Sequence, residues 1–315
     1  MNLVVTGGAG YIGSVVVSQL LDAGHSVTVI DDLSTGHRDA VPEGAEFVEM
    51  RIHDCLPVLA EGNFDGVLHF AAKSLVAESV TSPEVYWENN VVGSYALLEA
   101  VRKTKIPTMV FSSTAATYGQ PDESPITEDT PANPMNAYGA SKLAVDQMLR
   151  FYASAHGIGA ISLRYFNVGG ARGRFGERHD PESHLIPNLL KVAKGEKETA
   201  QIFGVDYDTV DGTALRDYLH VVDLGRAHLL ALERAESGRH NIINLGSGTG
   251  YTVRQVLEAC RSVTGHPIPA EESPRRDGDP VSLVASNSRG LEELGWKPEL
   301  GLQSIVSDAW DFMRS

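Results

Sequence analysis

Thr6-Gly7-Gly8-Ala9-Gly10-Tyr11-Ile12-Gly13 is the segment that decides the fold, because it joins a short apolar run to a helical pattern. From Gly8 it satisfies G-x-G-x-x-G, and from Gly7 it satisfies G-x-x-G-x-x-G. Glycines at these positions permit a tight turn and a close approach of a diphosphate to the backbone, and the helix that follows offers free N–H groups. In this strand–turn–helix context the motif predicts a dinucleotide site rather than a ligand-free turn.

Around this loop, strand and helix patterns alternate from the N-terminus to about residue 165. Short β-branched runs lie at residues 3–6, 27–30, 47–49, 66–70, 108–111 and 160–164. Helical patterns lie at 12–23, 85–103 and 137–156. Such alternation is typical of βαβ units and predicts an α/β fold with a Rossmann-type, doubly wound parallel sheet.

Beyond about residue 167 the alternation ends and glycine-rich loops become frequent. Patterns of secondary structure continue as helices near 185–195, 252–264 and 302–313 and a strand near 200–204. We read the loop at 246–250 as a turn that caps the helix after it. We therefore expect a dinucleotide-binding domain at 1–166 and a smaller, substrate-binding domain mainly at 167–315, with some of its segments returning to the sheet.

Composition narrows the functional classes. The chain has 315 residues, 42% of them hydrophobic, and its 26 Lys and Arg against 41 Asp and Glu give a net charge of −15. An acidic chain disfavours binding to nucleic acid or to an anionic membrane. We see no apolar run of membrane-spanning length and no signal peptide, and Cys55 and Cys260 are too few for a disulfide framework. We expect a cytoplasmic protein, and the spacing of the eleven histidines predicts no metal site.

Asp31 indicates which dinucleotide is bound. It ends the second predicted strand, about 20 residues beyond the glycine motif, where an acidic side chain accepts hydrogen bonds from the adenosine ribose. A carboxylate there repels a 2′-phosphate, so NAD is favoured over NADP. Asp32 adds negative charge or serves as a turn residue, and Arg38 is read as a solvated loop charge.

Tyr138 and Lys142 form the candidate catalytic pair, because i and i+4 share one face of a helix. Lowering the pKa of a tyrosine from about 10 to about 7 needs about 4 kcal/mol. An ammonium about 5 Å away supplies roughly 3 kcal/mol at an effective dielectric near 20. Thr114, at the end of the fifth predicted strand, is placed to orient a sugar hydroxyl. The alternatives are an unrelated Tyr and Lys on a surface helix, and a turn or N-cap threonine.

Taken in order, these motifs resemble the extended short-chain dehydrogenases/reductases, and most closely the UDP-glucose (UDP-galactose) 4-epimerases. The resemblance runs nearly end to end. Besides the glycine loop and the Tyr138–Lys142 motif, it rests on HFAA at 69–72, NN at 89–90, SST at 112–114, LRYFN at 163–167, RDYLHV at 216–221, NLG at 244–246 and PRRDGD at 274–279.

The resemblance implies an NAD site and a catalytic triad in which Tyr138 is the base, Lys142 holds the nicotinamide ribose and Thr114 orients the sugar. The implied NAD-binding residues are Gly7, Gly10, Tyr11, Ile12, Gly13, Asp31, Asp32, Ile52, Phe70, Ala71, Ala72, Asn89, Ser112, Tyr138, Lys142 and Tyr165.

The resemblance also implies a UDP-sugar site. Its residues are Thr114, Asn167, His184, Leu185, Gln201, Phe203, Arg216, Tyr218, Arg276 and Asp279. Asn167 would contact the phosphates, and Arg216 and Arg276 would neutralise them. A homodimer built on the helices near 91–103 and 137–152 is expected as well.

The reaction so implied is reversible epimerisation at C4 of a UDP-hexose, through a 4-keto intermediate and with bound NAD. One alternative is 4-epimerisation of an N-acetylated UDP-sugar or of UDP-glucuronate, whose carboxylate Arg172 and Arg174 could meet. A dehydratase or decarboxylase needs an acid where this chain has Ala115 and Ala116. A non-catalytic NAD-binding protein is a further alternative.

Several positions depart from the family pattern. Arg51 stands where many members have an Asp against the adenine, and Ser74 replaces the usual cofactor Lys, with Lys73 one residue earlier. His184 replaces an Asn that often contacts UDP. Leu283 lies where some members carry a Tyr that limits the pocket, which leaves acceptance of N-acetylated sugars open.

Overall fold

The fold was analysed in a computed structural model that describes residues 1–276 and 279–315. Asp277 and Gly278 of the PRRDGD motif therefore lie outside the described residues. The strands are β1 (Asn2–Thr6), β2 (Ser26–Asp31), β3 (Glu46–Glu49), β4 (Gly66–His69), β5 (Thr108–Thr114), β6 (Gly159–Tyr165), β7 (Asn167–Gly169), β8 (Ala200–Phe203), β9 (Leu215–His220), β10 (His240–Leu245), β11 (Gly250–Thr252), β12 (Ala270–Ser273) and β13 (Ser282–Leu283).

The α-helices are α1 (Tyr11–Asp22), α2 (Leu56–Glu61), α3 (Val76–Thr81), α4 (Pro83–Tyr86), α5 (Gly93–Thr104), α6 (Ala137–His156), α7 (Leu185–Ala193), α8 (Val221–Arg234), α9 (Val253–Thr264), α10 (Ser288–Leu294) and α11 (Leu302–Arg314). The described residues include no helix that is both long enough and apolar enough to span a membrane.

Seven parallel strands form the main sheet, in the order β10-β6-β5-β4-β1-β2-β3. This arrangement confirms the predicted α/β class and all six strands that were predicted ahead of Phe166. The seventh strand, β10, joins the sheet from the second half of the chain and pairs with β6. The strand order reverses at β1 and β4, and open α/β sheets bind ligands at the carboxyl ends of strands beside such a switch point.

The apolar strands are explained by burial on both faces of the sheet. Successive side chains point to opposite faces, so Val4 and Val5 of β1 enter different cores. Val5 packs with Leu20 of α1 and Leu224 of α8 on one face. Val4 lies in the other core, together with Leu97 of α5 and Leu149 of α6. Helices therefore cover both sides and leave the strand ends open.

Helix α6, which carries the predicted Tyr138–Lys142 pair, begins and ends on clear signals. The Asn136 side chain accepts a hydrogen bond from the Gly139 N–H at 2.9 Å, and Gly157 ends the helix with φ +74°. The predicted helix at 85–103 is instead divided into α4, a π-helical turn at Trp87–Val92 and α5. Such turns interrupt α-helices most often at functional sites, and this one carries Asn89 and Asn90.

A smaller layer covers the carboxyl ends of the main strands. It contains the β11-β9-β13 sheet with β7 beside β9, the β12–β8 pair and a separate apolar core shared by α7, α9 and α11. The loop at 246–250 closes on the Asp217 carboxylate, which accepts the N–H groups of Ser247 at 2.6 Å and Gly248 at 3.1 Å. Thr252 then caps α9, as predicted for this turn.

Candidate active site

One cleft at the carboxyl ends of the main strands brings the predicted cofactor residues together. All sixteen of them line it, from the glycine loop after β1 to Tyr165 at the end of β6. Thr114, Asn167, His184 and Leu283 line the same cleft. Motifs spread along the chain from Gly7 to Leu283 therefore converge on one place.

The glycine loop is packed so closely against neighbouring backbone that Gly7 and Gly13 have no room for side chains. Gly7 has φ +75°, and a Cβ there would lie 2.4 Å from the Ala71 nitrogen. A Cβ on Gly13 would lie 2.1 Å from the Gly7 oxygen. Gly10 is the N-cap of α1 and brings no side chain of its own, so the first-turn N–H groups beside the cleft are accessible to an anion.

The acidic end of β2 fits the ribose of NAD. Asp31 is buried, and its carboxylate accepts hydrogen bonds from the Ala9 N–H at 3.0 Å and the Leu33 N–H at 2.9 Å. Burial raises the pKa of Asp31, and those backbone hydrogen bonds oppose the shift. Arg38, which was read as a solvated loop charge, is exposed and lies 3.9 Å above the Phe47 ring.

The catalytic pair is placed by α6, and Thr114 by the end of β5. The Lys142 ammonium donates a hydrogen bond to the Ser112 carbonyl at 2.7 Å and lies 4.8 Å above the Phe111 ring. The Tyr138 ring meets Tyr86 edge to face, with centroids 6.4 Å apart. The three predicted catalytic side chains thus share the cleft with the glycine loop.

Burial controls the charge of this pair. It raises the pKa of Tyr138, and a hydrogen bond with Thr114 opposes that shift. It also lowers the pKa of Lys142 to about 7, against the raising effect of the Asp146 charge. The expectation that Lys142 lowers the pKa of Tyr138 left out desolvation, which is the largest cause of the Tyr138 shift, and Lys142 is not among the causes.

Asp146 supports the catalytic helix and was not assigned from the sequence. One of its oxygens, Oδ2, accepts hydrogen bonds from the Ser113 hydroxyl at 3.1 Å and from Arg164 Nε at 3.1 Å and Nη2 at 2.9 Å. Asp146 and Arg164 are both buried. The sequence pattern that could have indicated Asp146 is the four-residue spacing of positions 138, 142 and 146, which places an acid one helical turn beyond Lys142.

Two further buried contacts brace the cleft. Asn90, in the π-helical turn, accepts the Lys73 N–H at 2.8 Å and donates to the Ser141 hydroxyl at 3.0 Å, and so ties the loop after β4 to α6. The Tyr165 hydroxyl bonds to His228 Nε2 at 2.6 Å. His228 lies on α8, far along the chain, where sequence spacing gave no signal.

The predicted substrate residues fall into two groups. Thr114, Asn167 and His184 line the cleft, and the Asn167 amide donates to the Asp217 carbonyl at 3.0 Å. The others lie on or beside the smaller layer, where Tyr218 is buried in its apolar core and Leu185 packs against that core. In this second group Gln201 and Phe203 lie on β8. The Arg216 guanidinium pairs with the Asp279 carboxylate at 2.5 Å. The Arg276 guanidinium lies 4.0 Å above the Phe203 ring.

The departures from the family pattern have local explanations. Arg51 and Ser74 line the cleft, Arg51 lies 3.7 Å from Glu88, and the Lys73 ammonium lies 3.4 Å from the Ser34 hydroxyl. Arg172 pairs with Asp22 of α1. Arg174 donates to the Asp39 and Val41 carbonyls, at 2.5 and 3.2 Å. Both loop arginines are therefore engaged by the first domain.

One cluster on the rim of the cleft was missed by sequence reasoning. Glu177, His179, Glu182 and His184 bring one donor or acceptor atom each to within 4.8 Å of one another. The search for H-x-x-x-H spacing did not find it, because these histidines are five residues apart and the glutamates alternate with them.

Comparison with known proteins gives a consistent result. The family model described as the NAD dependent epimerase/dehydratase family matches residues 3–246. The chain is 57% identical to a UDP-glucose 4-epimerase of Corynebacterium glutamicum, over 99% of this chain and 95% of that protein. It is 54% identical to one from Streptomyces lividans, over the same shares. A crystal structure of the Bifidobacterium longum UDP-glucose 4-epimerase in complex with NAD+ and UDP is similar at 36% identity and a TM-score of 0.94, covering 100% of this chain and 98% of that one.

Proposed function

The chain belongs to the NAD-dependent epimerase/dehydratase family, and from that premise we propose that it is a UDP-glucose 4-epimerase that interconverts UDP-glucose and UDP-galactose with bound NAD. The observation that carries the proposal is the meeting of Tyr138, Lys142 and Thr114 with the glycine loop in one cleft. We assign residues 1–166 mainly to the cofactor and 167–315 mainly to the substrate.

Tyr138 removes the proton of the sugar 4-hydroxyl and later returns one to the 4-keto oxygen. Bound NAD supplies the acceptor and donor of the C4 hydride and, when oxidised, a positive charge. Thr114 hydrogen-bonds Tyr138 and orients the hydroxyl that reacts. Lys142 holds the cofactor ribose and adds positive charge beside the phenol. That charge is needed because burial alone keeps Tyr138 protonated.

Inversion requires the 4-keto sugar to turn over while the nucleotide stays bound. Asn167, His184, Arg216 and Arg276 are the groups that we assign to the diphosphate, and they bring charge to a chain whose net charge is −15. Binding energy placed on the nucleotide positions the reacting carbon without holding the hexose tightly.

A second candidate substrate is an N-acetylated UDP-hexose. Leu283 lines the cleft from β13, and it is smaller than the tyrosine found there in some relatives, which leaves room for an acetamido group. UDP-glucuronate is less favoured, because Arg172 and Arg174 are engaged by Asp22 and by backbone carbonyls. Dehydration is disfavoured, because Ala115 and Ala116 line the cleft where an acid would be needed.

We also propose a homodimer in the cytoplasm. Exposed apolar side chains lie on the outer faces of α5 and α6 and on the π-helical turn, namely Trp87, Val92, Tyr95 and Phe151. Burying them against a second copy would remove them from water. The buried free thiols Cys55 and Cys260 fit a reducing compartment. Light scattering of a Phe151→Glu variant should report a monomer, whereas Val210→Glu, at an exposed valine elsewhere, should leave the dimer intact.

The test of the reaction is NMR of sugar conversion by the purified protein without added cofactor. UDP-galactose, UDP-N-acetylgalactosamine and UDP-glucuronate are supplied separately. We expect conversion of UDP-galactose to UDP-glucose at C4 with no net oxidation. Release of water or carbon dioxide would assign the chain to one of the rival chemistries.

A further inference from the structure

The loop before α7 buries two carboxylates against a histidine that faces the cleft. Nδ1 of His184 lies 2.7 Å from Oε1 of Glu177 and 2.9 Å from Oε1 of Glu182. Nδ1 of His179 lies 2.8 Å from the same Glu177 oxygen. The Glu177 and Glu182 side chains are 8% and 3% exposed, whereas His184 is 45% exposed. One ring nitrogen of His184 is therefore held by the protein, while the side chain remains accessible.

Two neighbouring buried carboxylates need a cation beside them. An ionised carboxylate only accepts hydrogen bonds, so Nδ1 of His184 must carry a proton that it donates to the glutamates. Burial lowers the pKa of His184, but hydrogen bonds and charges from Glu177 and Glu182 outweigh it and raise the pKa to about 10. Burial works against ionisation of Glu177 too, yet hydrogen bonds from His179 and His184 lower its pKa to about 2.

Arg178 and His179 line the same cleft as His184, and each of them contacts a carboxylate. His179 stacks near His184, with ring centroids 5.3 Å apart, and shares the Glu177 oxygen. Arg178 is paired with Asp39 at 2.8 Å. The Tyr11 hydroxyl, from α1, donates to the Gly170 carbonyl at 2.6 Å, and its pKa is raised by burial and by both glutamates, so it remains neutral.

The contacts in this cluster have the lengths of hydrogen bonds. Two ligand atoms bound to one tetrahedral zinc ion, each about 2.0–2.1 Å from the metal, lie about 3.3 Å from each other. The contacts made here by His184 and His179 are 2.7–2.9 Å. A proton on each Nδ1 accounts for these distances.

We propose that Glu177 and Glu182 are positioning residues that hold His184 as a doubly protonated imidazolium, whose Nε2–H binds the diphosphate of the nucleotide substrate. This inference rests on the proposed function and deepens it. Nε2 of His184 has no hydrogen-bond partner in the ranges 1–276 and 279–315, and His184 lines the cleft beside Asn167. At this position the chain would present a fixed positive charge to the substrate.

The test is equilibrium binding of UDP-glucose to the NAD-loaded protein between pH 6 and pH 8.5, a range in which its diphosphate diester does not titrate. Because the pKa of His184 is about 10, its ionisation should not change the wild-type dissociation constant in this range, and any titration of Lys142 is common to the wild type and the variants. In Glu177→Gln and Glu182→Gln the imidazolium should lose its proton within this range, so binding should weaken about tenfold from pH 6 to pH 8.5. His184→Asn should bind weakly and without pH dependence, and Glu236→Gln, at an exposed glutamate outside the cleft, should match the wild type.

The protonation state of His184 is measured directly by imidazole ¹⁵N NMR on the wild-type protein at pH 8. Two protonated ring nitrogens are expected. A neutral ring, or flat binding in both glutamate variants, would overturn the proposal, and so would stoichiometric binding of added Zn²⁺ with loss of the Nδ1 protons. This readout does not depend on turnover, so a protein with a charged His184 and no epimerase activity would contradict only the proposed reaction.

Discussion

Lys142 on the catalytic helix and His184 on the substrate loop line the same cleft, yet burial acts on them with opposite outcomes. Lys142 donates to the uncharged Ser112 carbonyl, and the nearest acid, Asp146, is committed to Arg164, so the pKa of Lys142 falls to about 7. His184 faces two carboxylates, and its pKa rises to about 10. In both cases burial disfavours the charged form, and the charge of the neighbouring groups determines whether the pKa falls or rises.

This difference suits the two tasks. In the proposed mechanism the catalytic pair needs a group whose charge responds to the cofactor, and Lys142, with a pKa of about 7, would provide it. The substrate half needs a charge that stays constant while the sugar turns over. The following predictions test this division, in order of decreasing effect.

Replacing Tyr138 by Phe removes the base while leaving the charges of both regions intact. General-base catalysis contributes about 10²–10⁴-fold, so kcat should fall by that factor. Binding of UDP-glucose should stay within about twofold, because the phenol is not among the groups that we assign to the nucleotide. Steady-state kinetics and calorimetry check both values. Tyr251→Phe, at a tyrosine on β11 that does not line the cleft, is the matched control, and a rate near wild type in Tyr138→Phe would refute the base assignment.

Replacing Asp146 by Asn breaks the buried pair with Arg164 on the catalytic side. Loss of one partner leaves an uncompensated buried guanidinium, so the free energy of unfolding should fall by about 3–5 kcal/mol. The pKa of Lys142 should fall further, because the raising charge is gone. Urea denaturation measures the first effect. Asp311→Asn, in an exposed pair with Arg314, should change stability by less than about 1 kcal/mol, and an equal loss in both variants would contradict the burial argument.

The pH dependence of stability should have opposite signs for the two cations. The folded pKa of Lys142 lies below its ordinary value of 10.5, so the unfolded chain binds more protons between about pH 7 and 10.5, and this group makes stability rise with pH. The folded pKa of His184 lies above 6.5, so its stabilisation is complete below pH 6.5 and is lost as the pH rises through about 10.

Denaturation of Lys142→Met and His184→Asn from pH 7 to pH 9 therefore tests the comparison itself. Relative to wild type, the Lys142 variant should become progressively less stable as pH rises, and the His184 variant progressively less impaired. Each slope has an upper limit of about 1.4 kcal/mol per pH unit. Lys103→Met, at an exposed lysine on α5, serves as the reference. If stability relative to wild type changed with pH in the same direction in both variants, the neighbouring groups would not determine whether the buried cation keeps its charge.

Replacing Leu283 by Tyr changes the shape of the cleft and neither charge. The larger ring should exclude an acetamido group, and a steric change of this size is worth about 1–3 kcal/mol, or 10–200-fold in kcat/KM for UDP-N-acetylgalactosamine. The value for UDP-galactose should change little. Leu283→Met, of similar volume, should keep the wild-type ratio. A ratio that is unchanged in the tyrosine variant would remove Leu283 from the specificity argument.

Sequence reasoning reached the cofactor half more completely than the substrate half, for a physical reason. The glycine loop, Asp31 and the Tyr138–Lys142 spacing are local patterns, and parallel strands bring their ends to one edge of the sheet. The Glu177–His184 contacts depend on how an irregular loop folds back, and no periodicity records that. The Asp146–Arg164 pair joins a helix to a strand, and desolvation at Tyr138 and Lys142 appears only once their neighbours are in place.

The position of β10 makes the two halves of the chain inseparable. This edge strand comes from residues 240–245, between two groups of segments that form the smaller layer, and it pairs with β6 along six residues. A fragment that ended near residue 166 would lack β10 and α8, and it would leave the β6 backbone unpaired as an open template for intermolecular association. Truncation at the apparent domain boundary should therefore yield aggregates instead of a separate nucleotide-binding module.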